Sequence, residues 1–292
     1  MAPDAPAGEA VRASIRGCAR VFKANEAAAL GFDVEGVHRM RSAARRLRGE
    51  LKAFEDLVEC HWALPLNGEL KWLGAALGEV RDLDVFEERF KVWAGELRPA
   101  LAKLDCDVNR KRDVARGQLE RALKGERYHA ILSLLEQAQR CPSLTPEADT
   151  PCGKALPPLV EKIWDKLKKD GRALEPDDDD ETYHALRKRA KRVRYAAEAV
   201  ARSIAKRQAR AAKRFAREIE HVQDVLGLHQ DAVSARATIE AYAAEGSTDS
   251  AYLVAIGRLI ERVAMVALES RAEFPKAWKQ LDRGKLVQWM KR

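Results

Sequence analysis

Apolar residues recur every three or four positions along most of the chain, the spacing that lines one face of an α-helix. Val11, Ile15, Cys18 and Phe22 predict a first helix over Gly8–Ala28. Gly31-Phe32-Asp33 interrupts it, Asp33 fits an N-cap, and a second helix is predicted to run to about Trp62. Pro65-Leu66-Asn67-Gly68 predicts a turn. Helical periods then cover Glu69–Trp93, Leu97–Leu123 and Tyr128–Arg140. Cys141–Pro158 holds five prolines and no apolar period, so it predicts a linker or exposed loop. Beyond it, helices are expected over Leu159–Lys169, Tyr183–Val200, Arg202–Leu226, Ala232–Ala244 and Asp249–Phe274. No long alternating segment competes, so the fold class is all-α. Trp62, Trp72 and Trp93 do not alternate with basic residues as base-stacking platforms would, and are expected to be core anchors.

Two helices carry the same unusual face. In Val37–Phe54, the residues Val37, Met40, Ala44, Leu47, Leu51 and Phe54 form an apolar stripe, and His38, Arg41, Arg45 and Arg48 form a narrow basic one beside it. His184, Arg187, Lys191 and Arg194 repeat the basic stripe at a constant offset of 146. Leu77–Phe86 (LGEVRDLDVF) is echoed by Leu226–Val233 (LGLHQDAV) at an offset of 149, which matches Asp82 with Asp231. The simplest organisation is one domain of two repeats: an N-terminal bundle over 1–140, a proline-rich linker over 141–158 and a C-terminal bundle over 159–292. The expected architecture is two antiparallel four-helix bundles related by a pseudo-twofold axis, their basic stripes facing one groove or pore.

Charge sharpens this picture. The excess over 292 residues is modest, 53 − 45 = +8, but thirteen basic residues and the single acid Glu198 lie between Arg187 and Arg217. Lys206, Arg210, Lys213 and Arg217 form a further rail, and Arg12 and Arg16 a short one on the first helix. Such density points to a polyanionic partner. The five cysteines are odd in number and lack C-x-x-C spacing, so they read as buried thiols in a reduced compartment. No run is long enough to span a bilayer and the N-terminus has no signal pattern, so a cytoplasmic protein without membrane association is expected.

Like charges at i,i+3 and i,i+4 cost about 0.2–0.5 kcal/mol per pair in an isolated helix. The cost rises to about 4 kcal/mol for two charges 4 Å apart across a cleft of effective dielectric near 20. A bound polyanion offsets it, as guanidinium forks grip phosphate oxygens. The alternative offset is a set of internal ion pairs to Asp82, Asp84, Asp224 and Asp231. His38 and His184, each expected in the first turn of a helix and beside arginines, are expected to be neutral at pH 7. Glu35-x-x-His38 and Glu181-x-x-His184 fit a di-iron element, but the neighbouring arginines oppose a dication, so no metal is expected. There is no P-loop, H-E-x-x-H or G-x-S-x-G, and no cofactor is expected. The acidic run Glu175–Glu181 either complements a helix N-terminus or folds over the basic cleft as an internal competitor.

The chain resembles the CHAD domain family, the conserved histidine α-helical domain, through VHRMRSAARRLR and YHALRKRAKRVR and through the second motif of each half, LGEVRDLDVF and VLGLHQDAV. The resemblance implies two four-helix bundles about a pseudo-twofold, a basic central pore that binds inorganic polyphosphate, and association with polyphosphate granules. The implied anion contacts are His38, Arg41, Arg45, Arg46 and Arg48, and in the second repeat His184, Arg187, Lys191, Arg192 and Arg194. Lys191 stands where the first repeat has Arg45, and Gln230 where it has Arg81. Many relatives carry a triphosphate tunnel (CYTH) domain; no such β-rich segment occurs in this sequence, so a stand-alone, non-enzymatic binding module is expected. A nucleic-acid-binding helical protein is the alternative, and a metal-dependent phosphohydrolase using Asp82, Asp84 and Asp231 a more distant one.

Overall fold

The periodic segments are helices in the computed structural model, which describes residues 2–291. In chain order they are α1 (Gly8–Leu30), α2 (Val34–Ala53), α3 (Cys60–Ala94), α4 (Ala102–Lys124) and α5 (Glu126–Arg140). There follow α6 (Cys152–Ala173), α7 (Asp180–Val200), α8 (Lys206–Ala244), α9 (Ser250–Leu281) and the single turn α10 (Gly284–Val287). Short 3₁₀ segments join α2 to α3, α3 to α4 and α5 to α6. Among the described residues there is no β-strand, only two isolated bridges.

The two basic helices begin alike. The Asp33 carboxylate accepts from the Gly36 amide at 2.7 Å, and the Asp179 carboxylate accepts from the Thr182 amide at 2.7 Å. These caps are themselves 146 residues apart, so the repeat extends to the residues that fix each helix start. His38 and His184 are each the fifth residue of their helix, in the second turn rather than the first.

The predicted apolar stripe of α2 is buried throughout, Val37, Met40, Ala44, Leu47, Leu51 and Phe54 being at most 4% exposed. α2 packs on α1 and α3, α7 on α6 and α8, and α2 also packs on α7. At that last contact Arg46 pairs with Glu198 at 2.5 Å and the buried Glu50 with Arg202 at 3.2 Å. An aromatic cluster fills the second half, with Trp164 edge-on to Phe215 at 5.1 Å and stacked on Trp278 at 6.1 Å.

Several boundaries differ from those predicted. α2 ends at Ala53, nine residues before Trp62, because Phe54, Leu57 and Val58 turn inward and are buried. The turn expected at Pro65–Gly68 is helical, inside α3. Leu66, Leu70, Leu73 and Leu77 are at most 2% exposed, and burying four leucines outweighs the propensity cost of one proline and one glycine. The break expected between Leu226 and Ala232 is absent and α8 runs unbroken for 39 residues.

The linker expected over 141–158 is stitched to the N-terminal region, and α6 begins within it at Cys152. Val58 bridges to Leu144 and Pro6 to Pro151; the Glu59 amide donates to the Ser143 carbonyl at 3.0 Å and the Cys152 amide to that of Ala5 at 2.8 Å. Of the five cysteines, Cys18 and Cys152 are buried, but Cys60, Cys106 and Cys141 are exposed, against expectation. Cys60 and Cys106 lie on the outer sides of α3 and α4, and Cys141 just beyond the end of α5. Trp62, Trp72 and Trp93 are only half-buried at the core's edge; the deeper anchors are Trp164, Trp278 and Trp289.

Candidate functional site

A concavity of about 850 Å³ lies where α2, α3, α4, α7 and α8 meet. α2 contributes His38, Arg41 and Arg45; α7 contributes His184, Arg187 and Lys191, the same three positions of each stripe. Both helices are held with these residues inward because the adjoining apolar stripe is locked into the core.

Two glycines set how deep the arginines reach. A methyl at Gly78 would lie 3.4 Å from the Arg41 guanidinium, and one at Gly227 would lie 3.3 Å from that of Arg187. The guanidinium groups therefore lie across bare helix backbone at two positions 149 residues apart. This is a physical use for the Leu-Gly pair that both motifs share.

The cations of this cavity are unevenly neutralised. Arg41 donates to the two Asp82 carboxylate oxygens at 2.8 and 3.4 Å, and Arg89 to Asp231 at 3.4 Å. Arg81 reaches Glu88 at 3.4 Å. Arg45, Arg187 and Lys191 have no carboxylate partner among the described residues; Arg45 contacts only the Ser42 hydroxyl, at 3.4 Å. The Nε of Arg45 and that of Arg187 are buried without a hydrogen bond.

Burial and the neighbouring Arg187, Arg45 and Arg41 push the Lys191 ammonium from its ordinary 10.5 down to about 6. Burial likewise lowers Arg187, with Asp231 opposing. Both histidines are held below their ordinary value, in the direction expected, but burial is the main cause and nearby cations add to it. Burial raises Asp231 despite its cationic neighbours.

The remaining predicted residues lie elsewhere. Arg48 donates to the Asn67 side chain at 2.8 Å. Arg46 turns to Glu198 and stacks over Tyr195, its guanidinium 5.1 Å from the ring centroid. Arg194 pairs with Glu220 and Glu198. None of these lines the cavity, because each meets a carboxylate or amide on a neighbouring helix first. Arg192 is exposed on α7. Arg12 and Arg16 are drawn to Glu9 at 3.1 and 3.9 Å, one and two turns below them on α1. Lys206, Arg210, Lys213 and Arg217 are exposed on the first turns of α8, outside the cavity.

The acidic run lies outside it as well. Arg271 on α9 donates to the Pro176 and Asp178 carbonyls at 2.9 and 2.6 Å and to the Asp180 carboxylate at 2.6 Å. With Asp179 capping α7, the run is tied to helix ends instead of folding over the basic cleft. Glu35 of the first Glu-x-x-His pair is held by Arg39 at 2.7 Å, and Glu181 of the second by Lys188 at 3.3 Å.

Sequence reasoning missed Arg89, Lys111 and Trp93, which also line the cavity. Arg89 was readable, lying two turns beyond Asp82 on the same face of α3. Lys111 was not, since only the packing of α4 beside α3 brings it there.

This geometry defines an all-helical protein with a cation-crowded internal cavity. The CHAD domain model matches residues 13–240, and the chain belongs to that family. It is similar to the CHAD domain of the plant Ricinus communis, with a TM-score of 0.76 and 26% identity over 96% of this chain and 93% of that one. It shares the fold of PptA from Streptomyces chartreusis, with a TM-score of 0.76 and 24% identity over 94% of this chain and 99% of that one. MT2285 and Rv2226 of Mycobacterium tuberculosis are each 26% identical over 267 residues, 85% of this chain. The chain spans 48% of the length of these curated relatives.

Proposed function

We propose that the chain binds inorganic polyphosphate, without hydrolysing it, in the cavity between α2 and α7. The observation that carries this reading is the cluster of Arg45, Arg187 and Lys191, three basic side chains crowded together with no carboxylate within ion-pair distance among the described residues. They are partly buried, and the nearby carboxylate of Asp231 is also drawn on by Arg89, so a phosphate chain with one negative charge per unit offsets the remaining repulsion. Family membership supports the same ligand.

The paired geometry of Arg41 at Gly78 and Arg187 at Gly227 supports a pseudo-twofold arrangement of two helical bundles, with the phosphate chain passing between equivalent stripes. Lys191 in place of a second Arg45 makes the two halves unequal grips. The reading includes a cytoplasmic protein recruited to polyphosphate granules.

Asp82 and Asp231, the carboxylates a hydrolytic metal site would draw on, are engaged by Arg41 and Arg89. Asp84 is buried, with Arg116 and Arg112 as its nearest charges. These contacts favour binding over hydrolysis; phosphate release from polyphosphate on adding Mg²⁺ or Mn²⁺ would overturn that part of the proposal.

The central test is binding of long-chain polyphosphate by the wild type, Arg41→Glu/Arg45→Glu and Arg187→Glu/Lys191→Glu. The wild type is expected to bind and to melt higher with ligand, and each double variant to lose at least tenfold in affinity. Absence of any melting shift at low salt removes the proposal, and stronger binding of single-stranded DNA at matched charge replaces it with a nucleic-acid reading.

A further inference from the structure

The basic rail at the start of α8 is the largest charged feature that the cavity does not use. Lys206, Arg207, Arg210, Lys213, Arg214 and Arg217 are all exposed. No carboxylate among the described residues lies within ion-pair distance of any of them, and the one contact they make is Arg217 donating to the Lys213 carbonyl at 3.5 Å. Some basic side chains elsewhere on the surface are matched, as Arg39 is by Glu35 and Arg236 by Glu240 at 2.7 Å each. An unmatched row of six cations on one helix costs self-repulsion at every turn.

The row has direction. At 1.5 Å per residue it is about 17 Å long, and at 100° per residue Lys206, Arg210, Lys213 and Arg217 fall within about 60° of arc. The same helix lines the cavity with Asp231 and Thr238 further along. On that helical grid Lys213, Arg217 and Asp231 lie within about 40° of one another, so the rail and the cavity-facing residues share one side of α8. About 20 Å of helix separates Arg217 from Gln230, the nearest cavity-lining residue of α8.

We infer that the α8 rail is a second, open contact surface for the same linear polyphosphate, gripping the part of a long chain that emerges from the cavity. This rests on the function proposed above and adds a chain-length dependence to it. The rail is one helix wide and bears no exposed aromatic residue between Lys206 and Arg217, Phe215 being fully buried. That suits a bare phosphate chain better than a nucleic acid, whose bases stack on aromatic rings. Because α8 carries the rail and also borders the cavity whose cations come from α2 and α7, the second contact is intramolecular once the first is made, and its effect on affinity multiplies that of the cavity.

The test compares inorganic tripolyphosphate, short enough to stay in the cavity, with polyphosphate of about one hundred units. The proteins are the wild type, Arg45→Glu/Arg187→Glu and the rail variant Lys206→Gln/Arg210→Gln/Lys213→Gln/Arg217→Gln, whose changes are all at exposed positions. The rail variant is expected to bind tripolyphosphate within twofold of the wild type and long polyphosphate at least tenfold more weakly. Its slope of log affinity against log salt should fall by roughly 3 for four lost phosphate contacts. Unchanged long-chain affinity and slope in the rail variant, with binding lost in the cavity variant, overturns the rail and leaves the cavity standing. Failure of the wild type to bind either ligand removes the function proposed above, and this inference with it. A rail variant that loses single-stranded DNA but not polyphosphate makes the surface a nucleic-acid one and overturns the inference.

Discussion

Lys191 concentrates the physical tension of this molecule in one side chain. Its ammonium is pressed toward neutrality by burial and three arginines, so the unfolded chain holds that proton up to its ordinary 10.5 while the folded protein releases it above about 6. Between those values the unfolded state binds more protons, and the contribution of Lys191 to stability therefore rises with pH across that window. Lys191→Met, which keeps the bulk and removes the charge, is expected to raise the melting temperature of the free protein at pH 6–7 and to weaken polyphosphate binding; scanning calorimetry and titration read the two effects. A polyanion in the cavity favours the charged form, so binding at pH 7.5 should take up close to one proton. Calorimetric titrations in two buffers of different ionisation heat measure it, and equal apparent heats would show that Lys191 does not titrate on binding.

The elements owe their limits to packing as often as to local signals. Asp33 was readable as a cap because capping needs only a short acceptor before a periodic run, whereas Asp179 stands among several aspartates and only the structure singles it out; Asp33→Ala is expected to cost about 1 kcal/mol, measured by denaturant unfolding. The Thr182 amide and hydroxyl hold the Asp179 carboxyl below its ordinary range. Its stabilising effect is thus present above the unfolded carboxyl value and lost as pH falls through the lower folded one. Pro65 and Gly227 read as breaks, yet both sit inside helices: buried leucines carry α3 through the first, and the Arg187 guanidinium lies against the second. Gly171 on α6 shows the same logic in reverse. A methyl there would meet the Trp278 ring at 2.2 Å, so Gly171→Ala should destabilise by roughly 1–3 kcal/mol despite its better helix propensity. A melting temperature unchanged in that variant would mean that α6 and α9 part more easily than their packing suggests.

At the scale of the whole molecule the basic residues divide into several populations. Among them are one that faces the cavity, one held in ion pairs between helices, and one exposed at the start of α8, beside others paired within their own helix or exposed singly. Arg45 and Arg46 are adjacent in sequence and fall into different populations, since 100° of helix rotation turns one to Arg187 and the other to Glu198. Removing Arg46 should therefore loosen the α2–α7 contact more than it weakens anion binding. For Arg46→Ala the expected outcome is a lower melting temperature with polyphosphate affinity within about threefold of the wild type. A tenfold loss of affinity without destabilisation would return Arg46 to the binding set.

By itself the sequence determined the helical class, the buried stripe of α2, the Asp33 cap and the duplicated stripe with its leading histidine, because each is a local pattern. It also put Arg41, Arg45, Arg187 and Lys191 on faces distinct from the core. Which of the cations stay without a counter-charge was decided only by the tertiary structure. Neutralisation is a through-space property: Arg41 meets Asp82, Arg89 meets Asp231 and Arg194 meets Glu220 across gaps of 26 to 142 residues, while Arg45, Arg187 and Lys191 meet one another. No periodicity along the chain encodes that difference, and it is what leaves the cavity rich in unpaired basic groups.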